Sequence, residues 1–521
     1  MFTQLRVGLD RRVLFVALAP VALWFFLLLA FDRAFWSLVT DDSFYYWQIG
    51  RNLARGLGST FDGLNPTNGY HPLWMAFCAS LYGLGLGGEV APRVAVLVQV
   101  LIFGGAWWIL SASVVRVLRE VSSSFQGLLE SAALGVLLVV GCAHPAVKVW
   151  VNGLESAFVL LAQVALVSVA LRTERLLSPE GRRARLLMGV LIAFAFLSRT
   201  DGALMMPAIV VWSLPALRSY PRKVTVWLLE WLLLPSLIVL LYMFFNQAAF
   251  GSAIQVSGLL KVAPLEPWRI VGALAVVALP VLLFRTSSRE RWPRLTLVLS
   301  RTGFFGVFCL LLLAYYGFLQ SFPRVWYLGP ILLYATLLGS VVLADLFALA
   351  AQERSEKRPA HAVRPFSVAF ALMGLGLFCF GVVQAVTAPA AAPLLANREA
   401  GRFIARALPA EAILASWDAG VLGCYSERRL VNLDGVVNSA AYVEAMRTRT
   451  TADYLAEIPI GWVVNHSDDE ARLREHVVDY LGLRAATMTV TQSWPFEVVA
   501  GVNQAVPQVF RARAYLIALG E

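Results

Sequence analysis

The chain has 521 residues, of which 59% are hydrophobic and only 15% are charged, and its mean hydropathy is +0.69. This composition predicts an integral membrane protein and excludes a soluble globular one. The net charge of +10 does not indicate a nucleic-acid partner, because the basic residues are distributed over loops between apolar runs. Four of the five cysteines lie in apolar segments, so neither a disulfide framework nor a zinc site is expected.

The N-terminus resembles a signal peptide, because Arg6, Arg11 and Arg12 precede an apolar run at 13–31. The run lacks a convincing small-residue cleavage site, so we interpret it as a retained first helix. A run at 71–88 is predicted to pack beside the bilayer or re-enter it without crossing. Eleven runs are predicted to cross: 13–31, 92–115, 126–143, 154–171, 186–198, 202–217, 224–245, 268–284, 302–319, 326–346 and 366–387.

The loops between these runs differ in charge. If 71–88 does not cross, alternate loops collect most of the basic residues that precede the C-terminal region. The positive-inside rule then places these loops and the N-terminus in the cytoplasm. The same count places the region from about 390 onward outside the cytoplasm. The expected location is the bacterial cytoplasmic membrane.

The C-terminal region has its own pattern. Short β-rich runs at 412–417 and 461–464 alternate with amphipathic segments such as 470–478. This alternation predicts a compact α/β domain. We therefore expect a polytopic α-helical membrane protein with a transmembrane domain at 1–390 and an extracytoplasmic α/β domain at 391–521.

The first outer loop, 32–91, carries the strongest candidate site. Asp41 and Asp42 are adjacent and follow the first apolar span, and the aromatic residues Tyr45 and Tyr46 come next. A polar stretch then leads through the segment NPTNGYHP. Acids so close to hydrocarbon are costly unless they serve a site. The loop therefore indicates an enzyme that works at the bilayer surface.

Other outer loops add carboxylates, cations and an aromatic residue on the same membrane face: Lys148, Glu155, Arg199, Asp201, Lys261, Arg324 and Tyr327. Two chemistries fit this set. One is group transfer from a lipid phosphate, in which a carboxylate is the base and cations hold the phosphate. The other is transport coupled to ions.

These residues resemble those of membrane glycosyltransferases with the GT-C fold. A first helix followed by Asp-Asp or Asp-Glu and aromatic residues is similar to protein O-mannosyltransferases, lipid A aminoarabinose transferases and rhizobial core-oligosaccharide transferases. The chain is most similar to uncharacterised bacterial members with a DDAFYY … NPTNGYHPLW … NLDG pattern. The resemblance is strongest over 13–90. It implies a polyprenyl-phosphate-sugar donor and an envelope glycan, lipid or protein as acceptor.

The resemblance also implies roles for single residues. Asp41 matches the catalytic base that takes the proton of the acceptor hydroxyl, and Asp42 matches the second acid, which positions the acceptor or tunes Asp41. Of two adjacent acids, one should have a raised pKa, as a base needs. His71, before a proline, stands where aminoarabinose transferases have a cation that holds the lipid phosphate. A neutral histidine is a weak anion ligand, so other cations are expected to share the phosphate: Arg51, Lys148, Arg199 and Arg324.

Further residues are expected to support the acceptor or the site: Tyr45, Tyr46, Asn68, Glu155, Asp201 and Tyr327. Structural alternatives stay open for several of these positions. Asp42 is a candidate helix N-cap, Arg199 and Asp201 a candidate local ion pair, and Arg324 a candidate snorkelling arginine. Glu155 is favoured electrostatically at the start of a helix. Asp418 and Asp434 lie next to glycines in the C-terminal region and are not expected to be catalytic.

Paired carboxylates also suit a hard cation such as Mg²⁺ or Mn²⁺. The resemblance is nearer to the transferases that use a single base without a metal, so no metal or other cofactor is expected to be required.

The sequence thus predicts an inverting glycosyltransferase that works among membrane lipids, without nucleic acid. Two alternatives remain. A secondary transporter or lipid flippase usually shows repeated halves and charges at the membrane midplane, whereas this chain shows no repeat. A non-catalytic membrane scaffold that presents the C-terminal domain has no need for acids at the bilayer edge.

Overall fold

The computed structural model describes residues 10–121, 123, 125–261, 266–274, 292–320, 324–355, 392–467, 480, 488–500 and 508–519, with isolated residues between 376 and 387. The helices up to residue 355 are α1 (Arg11–Ala30), α2 (Asp32–Leu38), α3 (Asp41–Ala54), α4 (Pro72–Gly83), α5 (Val90–Glu120), α6 (Gln126–Cys142), α7 (His144–Trp150), α8 (Ser156–Arg172), α9 (Arg182–Ser198), α10 (Met205–Ser219), α11 (Pro221–Phe250), α12 (Val256–Leu259), α13 (Pro293–Ala314) and α14 (Gly329–Ser355).

Local sequence accounts for several helix ends. The Asp10 side chain caps α1 by accepting a hydrogen bond from the backbone N–H of Arg12 at 3.0 Å. Proline occupies the first turn of α4 and α11, where its missing N–H and fixed φ are favourable. Helix α11 ends at Gly251, whose φ of 74° lies in the left-handed region that glycine adopts without strain.

Six described helices or helix pairs are long and apolar enough to cross a membrane: Arg11–Ala30, Val90–Glu120, Thr200–Ser219, Pro221–Phe250, Pro293–Leu319 and Val325–Leu349. A seventh span results if α6 and α7, which are bent by 74°, form one crossing. The chain is therefore a multi-pass membrane protein. Of the eleven predicted runs, 268–284 and 366–387 lie largely outside the described residues.

Helix α4 covers most of the 71–88 run. It has 12 residues and so is about 18 Å long, which is too short for a hydrocarbon core of about 30 Å. It packs against α3, which follows the first span. The run therefore packs against α3 without a helix long enough to cross a membrane, as predicted.

The buried core of the membrane part is rich in large aromatic side chains. The indoles of Trp24, Trp36, Trp47, Trp74 and Trp107 are all at most 1% exposed. They lie among helices α1, α2, α3, α4 and α5, and this packing holds the first outer loop rigidly against the spans.

The C-terminal region combines helices with a mixed sheet. Its strands are β1 (Ile413–Ser416), β2 (Arg429–Asn432), β3 (Trp462–Ser467), β4 (Met488–Ala500) and β5 (Gln508–Leu519), in the order β2-β1-β3-β5-β4. Its described helices are α15 (Ala392–Ala407), α16 (Gly420–Ser426), α17 (Ala440–Thr448) and α18 (Thr451–Ala456).

Strand β1 pairs in parallel with β2 and β3, whereas β5 is antiparallel to β3 and β4. The strands predicted at 412–417 and 461–464 are thus confirmed as β1 and β3. The predicted helix at 470–478 lies outside the described residues. Helix α16 packs against both α15 and α3, so the C-terminal region contacts the first outer loop directly.

Candidate active site

Helix α3 carries the acid pair in its first turn. Its N-cap is Thr40, which makes no side-chain capping bond, so the alternative in which Asp42 is the N-cap is wrong. Asp41 and Asp42 follow it, at the end of the helix where negative charge is favoured. Since successive helical residues point about 100° apart, the two carboxylates face different surroundings.

The Asp41 carboxylate contacts the C-terminal region. Its Oδ2 accepts a hydrogen bond from the backbone N–H of Gly420, and its Oδ1 accepts one from the N–H of Val421, both at 2.9 Å. Burial, together with the nearby charge of Asp418, raises the pKa of Asp41 to about 8. Asp41 thus caps α16, a helix that belongs to another part of the chain.

Arg51, three turns further along α3, reaches the other end of α16. Its Nη1 donates to the backbone carbonyl of Cys424 at 3.3 Å, and its Nη2 donates to Gln48 Oε1. An acid at the start of α16 and a cation at its end both complement the helix dipole. Arg51, which was expected to bind phosphate, therefore contacts the C-terminal region and Gln48 of its own helix.

Asp42 has a different environment. Its side chain is half-buried and forms no hydrogen bond with the described part of the chain. Burial raises the pKa of Asp42, and the positive charges of Lys261 and Arg324 act in the opposite direction. Among the described residues, Asp42 is therefore a carboxylate without a hydrogen-bond partner, on which the charges of two cations act.

Lys261 and Arg324 come from two segments that are far apart in sequence. Lys261 Nζ donates to Tyr327 Oη at 2.8 Å. Arg324 is exposed, and within the described ranges it has neither an ion pair nor a hydrogen bond. Arg324 and Tyr327 were both expected near the site, whereas Lys261 was noted as an outer-loop cation but was not selected as a phosphate ligand.

A buried polar network lies behind this face and includes three of the expected residues. Tyr46 Oη donates to Glu155 Oε2 at 3.0 Å and accepts from the backbone N–H of His71 at 3.0 Å. His71 Nδ1 accepts from the backbone N–H of Thr200 at 3.4 Å and lies 3.0 Å from Gln255 Nε2. These donors leave the proton of the neutral ring on Nε2, which lies 3.7 Å from Glu155 Oε1.

His71 is consequently uncharged. Burial, reinforced by the positive charge of Arg199, lowers its pKa to about 3. A neutral imidazole with both nitrogens directed at protein groups has no charge to offer a phosphate. The geometry therefore supports a structural role for His71 at the base of the site.

Arg199 is almost fully buried and has several protein partners. Its Nε lies 3.1 Å from Asp201 Oδ2, and its Nη2 donates to Tyr316 Oη at 2.9 Å. Its guanidinium carbon lies 4.4 Å from the ring centroid of Tyr327. Tyr316 in turn donates to Asp201. The expected pair of Arg199 and Asp201 is confirmed, and it belongs to a buried network that holds Tyr327 in place.

The C-terminal region also contributes an acid to this face. Tyr45 Oη donates to Asp434 Oδ2 at 3.2 Å, while Asp434 Oδ1 accepts from the backbone N–H of Val436 at 2.9 Å. Burial raises the pKa of Asp434 to about 7, and the charge of Asp42 acts in the same direction. Asp434, which was not expected to be catalytic, therefore lies with the first-loop acids.

The remaining expected residues lie elsewhere. Asn68 fastens the first outer loop to α11 and the segment after it, because its Nδ2 donates to Asn246 Oδ1 at 2.9 Å and its Oδ1 accepts from the N–H of Val256 at 3.1 Å. No contact among the described residues joins Lys148 to the cations beside Asp42. The described residues also contain no group of three or more His, Cys, Asp or Glu side chains that could hold a metal ion.

Comparisons with known proteins identify the fold. The archaeal oligosaccharyltransferase AglB from Archaeoglobus fulgidus, in complex with an inhibitory peptide and a dolichol-phosphate, matches with a TM-score of 0.50 and 12% identity over 90% of this chain and 70% of its own. ArnT from Cupriavidus metallidurans, bound to undecaprenyl phosphate, matches with a TM-score of 0.50 and 14% identity over 95% of this chain and 97% of its own.

A third structure is similar over a comparable length. The Archaeoglobus fulgidus oligosaccharyltransferase tethered to an acceptor peptide containing the NVT sequon matches with a TM-score of 0.51 and 13% identity, over 95% of this chain and 74% of its own. At such identities the likeness shows the fold alone. The chain is thus a polytopic membrane protein with the GT-C fold, as the sequence predicted.

A family model matches the C-terminal region. Residues 390–514 match a domain of unknown function, DUF8728. No curated protein matches the chain.

Proposed function

We propose that this protein is an inverting glycosyltransferase, which moves a sugar from a polyprenyl-phosphate donor to a cell-envelope acceptor. One observation carries the proposal: within the described residues, one carboxylate of the acid pair, Asp42, has no hydrogen-bond partner, and the positive charges of Lys261 and Arg324 act on it. The GT-C fold supports it, since solved structures with this fold hold dolichol-phosphate and undecaprenyl phosphate.

The proposed reaction is one in-line displacement at the anomeric carbon. The acceptor hydroxyl oxygen forms a bond to C1 while the bond from C1 to the phosphate oxygen breaks. The electron pair leaves with the lipid phosphate, and the acceptor proton passes to a carboxylate of the Asp41–Asp42 pair. A base of this kind contributes about 10²–10⁴-fold to the rate.

The donor phosphate gains negative charge as the sugar leaves, so fixed cations beside it stabilise the transition state. Lys261 and Arg324 are the proposed phosphate ligands. The network of Arg199, Tyr316 and Tyr327 positions Lys261, because Lys261 donates to the Tyr327 hydroxyl and Arg199 packs on the Tyr327 ring. His71 and Glu155 support the floor of the site. No step of the proposed reaction passes through a metal.

The site is proposed to lie on the outer face of the bacterial inner membrane, with the N-terminus in the cytoplasm. Polyprenyl-phosphate-sugars are suitable donors there, because nucleotide sugars are not available outside the cytoplasm. The C-terminal domain is proposed to select the acceptor, which is a glycan, a lipid or a protein of the envelope. This placement is supported by the contact of Asp434 with Tyr45.

The proposal is tested with purified protein in liposomes, radiolabelled polyprenyl-phosphate-sugars and a panel of envelope acceptors. Wild type should release polyprenyl phosphate and label one acceptor, also in the presence of EDTA. Movement of intact donor between the leaflets without cleavage would instead indicate a flippase. Failure to bind or cleave every donor would favour a scaffold.

A further inference from the structure

We infer that the two acids have separate tasks: Asp42 is the base that takes the acceptor proton, and Asp41 is a positioning residue that fastens the C-terminal domain to the first outer loop. This inference rests on the proposed function for the role of Asp42. The role of Asp41 stands on geometry alone.

Both oxygens of Asp41 are engaged by backbone N–H groups of α16, at 2.9 Å each. These hydrogen bonds act to lower the pKa of Asp41, but burial and the charge of Asp418 outweigh them, so the assignment rests on access to the carboxylate. A base must also reach its substrate within hydrogen-bonding distance. A carboxylate covered by the start of another helix is poorly placed for that, whereas it is well placed to hold the helix.

The contact around Asp41 is too tight for a side chain at residue 420. A Cβ on Gly420 would lie 2.2 Å from the backbone oxygen of Asp41 and 2.6 Å from its Oδ2. A second glycine of the first outer loop is equally close to the C-terminal region, because a Cβ on Gly69 would lie 2.0 Å from the carbonyl oxygen of Val436. The two surfaces therefore meet backbone to backbone at two separate points.

The other end of α16 is held as well. Arg51 donates to the carbonyl of Cys424 at 3.3 Å, and Cys424 Sγ donates to the carbonyl of Phe44 at 3.3 Å. Residues of helix α3 thus contact α16 at both ends: Asp41 at its start and Arg51 at its end. Removal of Asp41 takes away the hydrogen-bond partners of two N–H groups at the start of α16, which have no partner within that helix.

Asp42 lies on the same turn of α3 as Asp41 but does not take part in the contacts with α16. Within the described part of the chain its carboxylate has no hydrogen-bond partner, and the nearby cations are Lys261 and Arg324. These are the residues proposed to hold the donor phosphate. Asp42 is consequently the acid of the pair that adjoins the proposed phosphate ligands and whose carboxylate is not engaged by another described residue.

The native thiol of Cys424 provides a direct readout of the contact between α3 and α16. In a variant with the other four cysteines replaced by alanine, maleimide labelling of Cys424 should be slow, because the thiol is half-buried and bonded to Phe44. On this background, Asp41→Asn should accelerate labelling at least tenfold while the protein stays monodisperse. Asp42→Asn and Asp453→Asn, the second an exposed control in α18, should leave labelling unchanged.

Transfer is measured in the same preparations. Asp42→Asn should bind donor normally and transfer sugar at least a hundredfold more slowly. Asp42→Glu should restore part of the rate. The assignment of Asp42 as base and Asp41 as positioning residue would be overturned by the following result. In Asp41→Asn, Cys424 is labelled slowly but transfer is abolished, whereas Asp42→Asn stays active. If wild type transfers from no donor, the role of Asp42 falls with the proposed function, while Cys424 labelling still decides the role of Asp41.

Discussion

The carboxylate of Asp41 accepts a hydrogen bond from the backbone N–H of Gly420 at 2.9 Å, although the two residues are 379 positions apart. This contact joins the first outer loop to the C-terminal region at the point where the acid pair begins. It changes the interpretation of both acids, because Asp41 caps a distant helix, whereas Asp42 has no hydrogen-bond partner among the described residues.

The closeness of this contact can be tested with a single methyl group. Gly420→Ala would place its Cβ within 2.2 Å of the Asp41 backbone oxygen, so one surface must move. We expect a loss of about 1–3 kcal/mol in the free energy of unfolding, as for other overpacked sites. Thermal unfolding in detergent measures this. Gly461→Ala is the matched control, because its Cβ meets nothing within 4 Å. Equal stability of the two variants would contradict the tight contact.

The two cations beside Asp42 should affect donor affinity. Lys261→Ala and Arg324→Ala each remove one charged partner of the proposed phosphate, which is worth about 1.5–3 kcal/mol. We therefore expect KM for the donor to rise about tenfold to a hundredfold in each variant, with a larger rise in the double variant. Steady-state kinetics in liposomes checks this. Lys223→Ala, at an exposed position in the first turn of α11, should leave KM unchanged.

Arg199 should be needed for stability. Arg199→Met leaves the buried Glu155 and the half-buried Asp201 without their cation, and loss of a buried charge partner typically costs about 3–5 kcal/mol. The control is Arg182→Met, since Arg182 pairs with Glu230 at 3.2 Å but its side chain is 70% exposed, and exposed pairs contribute about 0–1 kcal/mol. Comparable melting temperatures for the two variants would show that the Arg199 network is not a structural support.

The pH dependence of stability should reveal the raised pKa of Asp434. Burial raises its pKa from an ordinary 3.8 to about 7, so the folded protein holds a proton that the unfolded chain releases. The stability linked to this proton is complete below about pH 4 and is lost as the pH rises through 7. Asp434→Asn cannot titrate. The melting temperature of wild type should therefore fall relative to the variant between pH 5 and 8, and a constant difference would contradict the raised pKa.

Much of the fold could be predicted from local patterns. Long apolar runs and loop charges indicated the spans, and alternation in short β-rich segments located Ile413–Ser416 and Trp462–Ser467. The position of the acid pair directly after the first span also suggested a site at the membrane face, which stays a prediction. These features depend on neighbours in sequence, so a single chain is sufficient to detect them.

The contacts on which we base separate roles for the two acids join residues that are distant in sequence, so local patterns could not predict them. Asp434 was noted only as an acid next to a glycine and was not expected to be catalytic; that glycine, Gly435, has a φ of 81°. The carboxylate of Asp434 accepts from Tyr45, far away in sequence, and no local signal records that pairing. Likewise, Arg51 looked like a free cation, because its partners are backbone carbonyls of a distant helix.

His71 shows that the charge state of a histidine is also difficult to predict from sequence. Its place before a proline suggested a phosphate ligand, but a charge on this histidine depends on burial, which the sequence does not give. With Thr200 and Gln255 directed at one nitrogen, the ring is neutral. Lys261 could have been selected instead, since it stands in an outer segment with few other charges, but only the fold brings it beside Asp42.

The stereochemistry of transfer tests the central claim most directly. A donor of defined anomeric configuration would be given to the purified protein, and the configuration of the new glycosidic bond determined by NMR. A single displacement with Asp42 as base predicts complete inversion, and loss of the product with Asp42→Asn. Retention of configuration, or transfer that persists in Asp42→Asn at the wild-type rate, would contradict it.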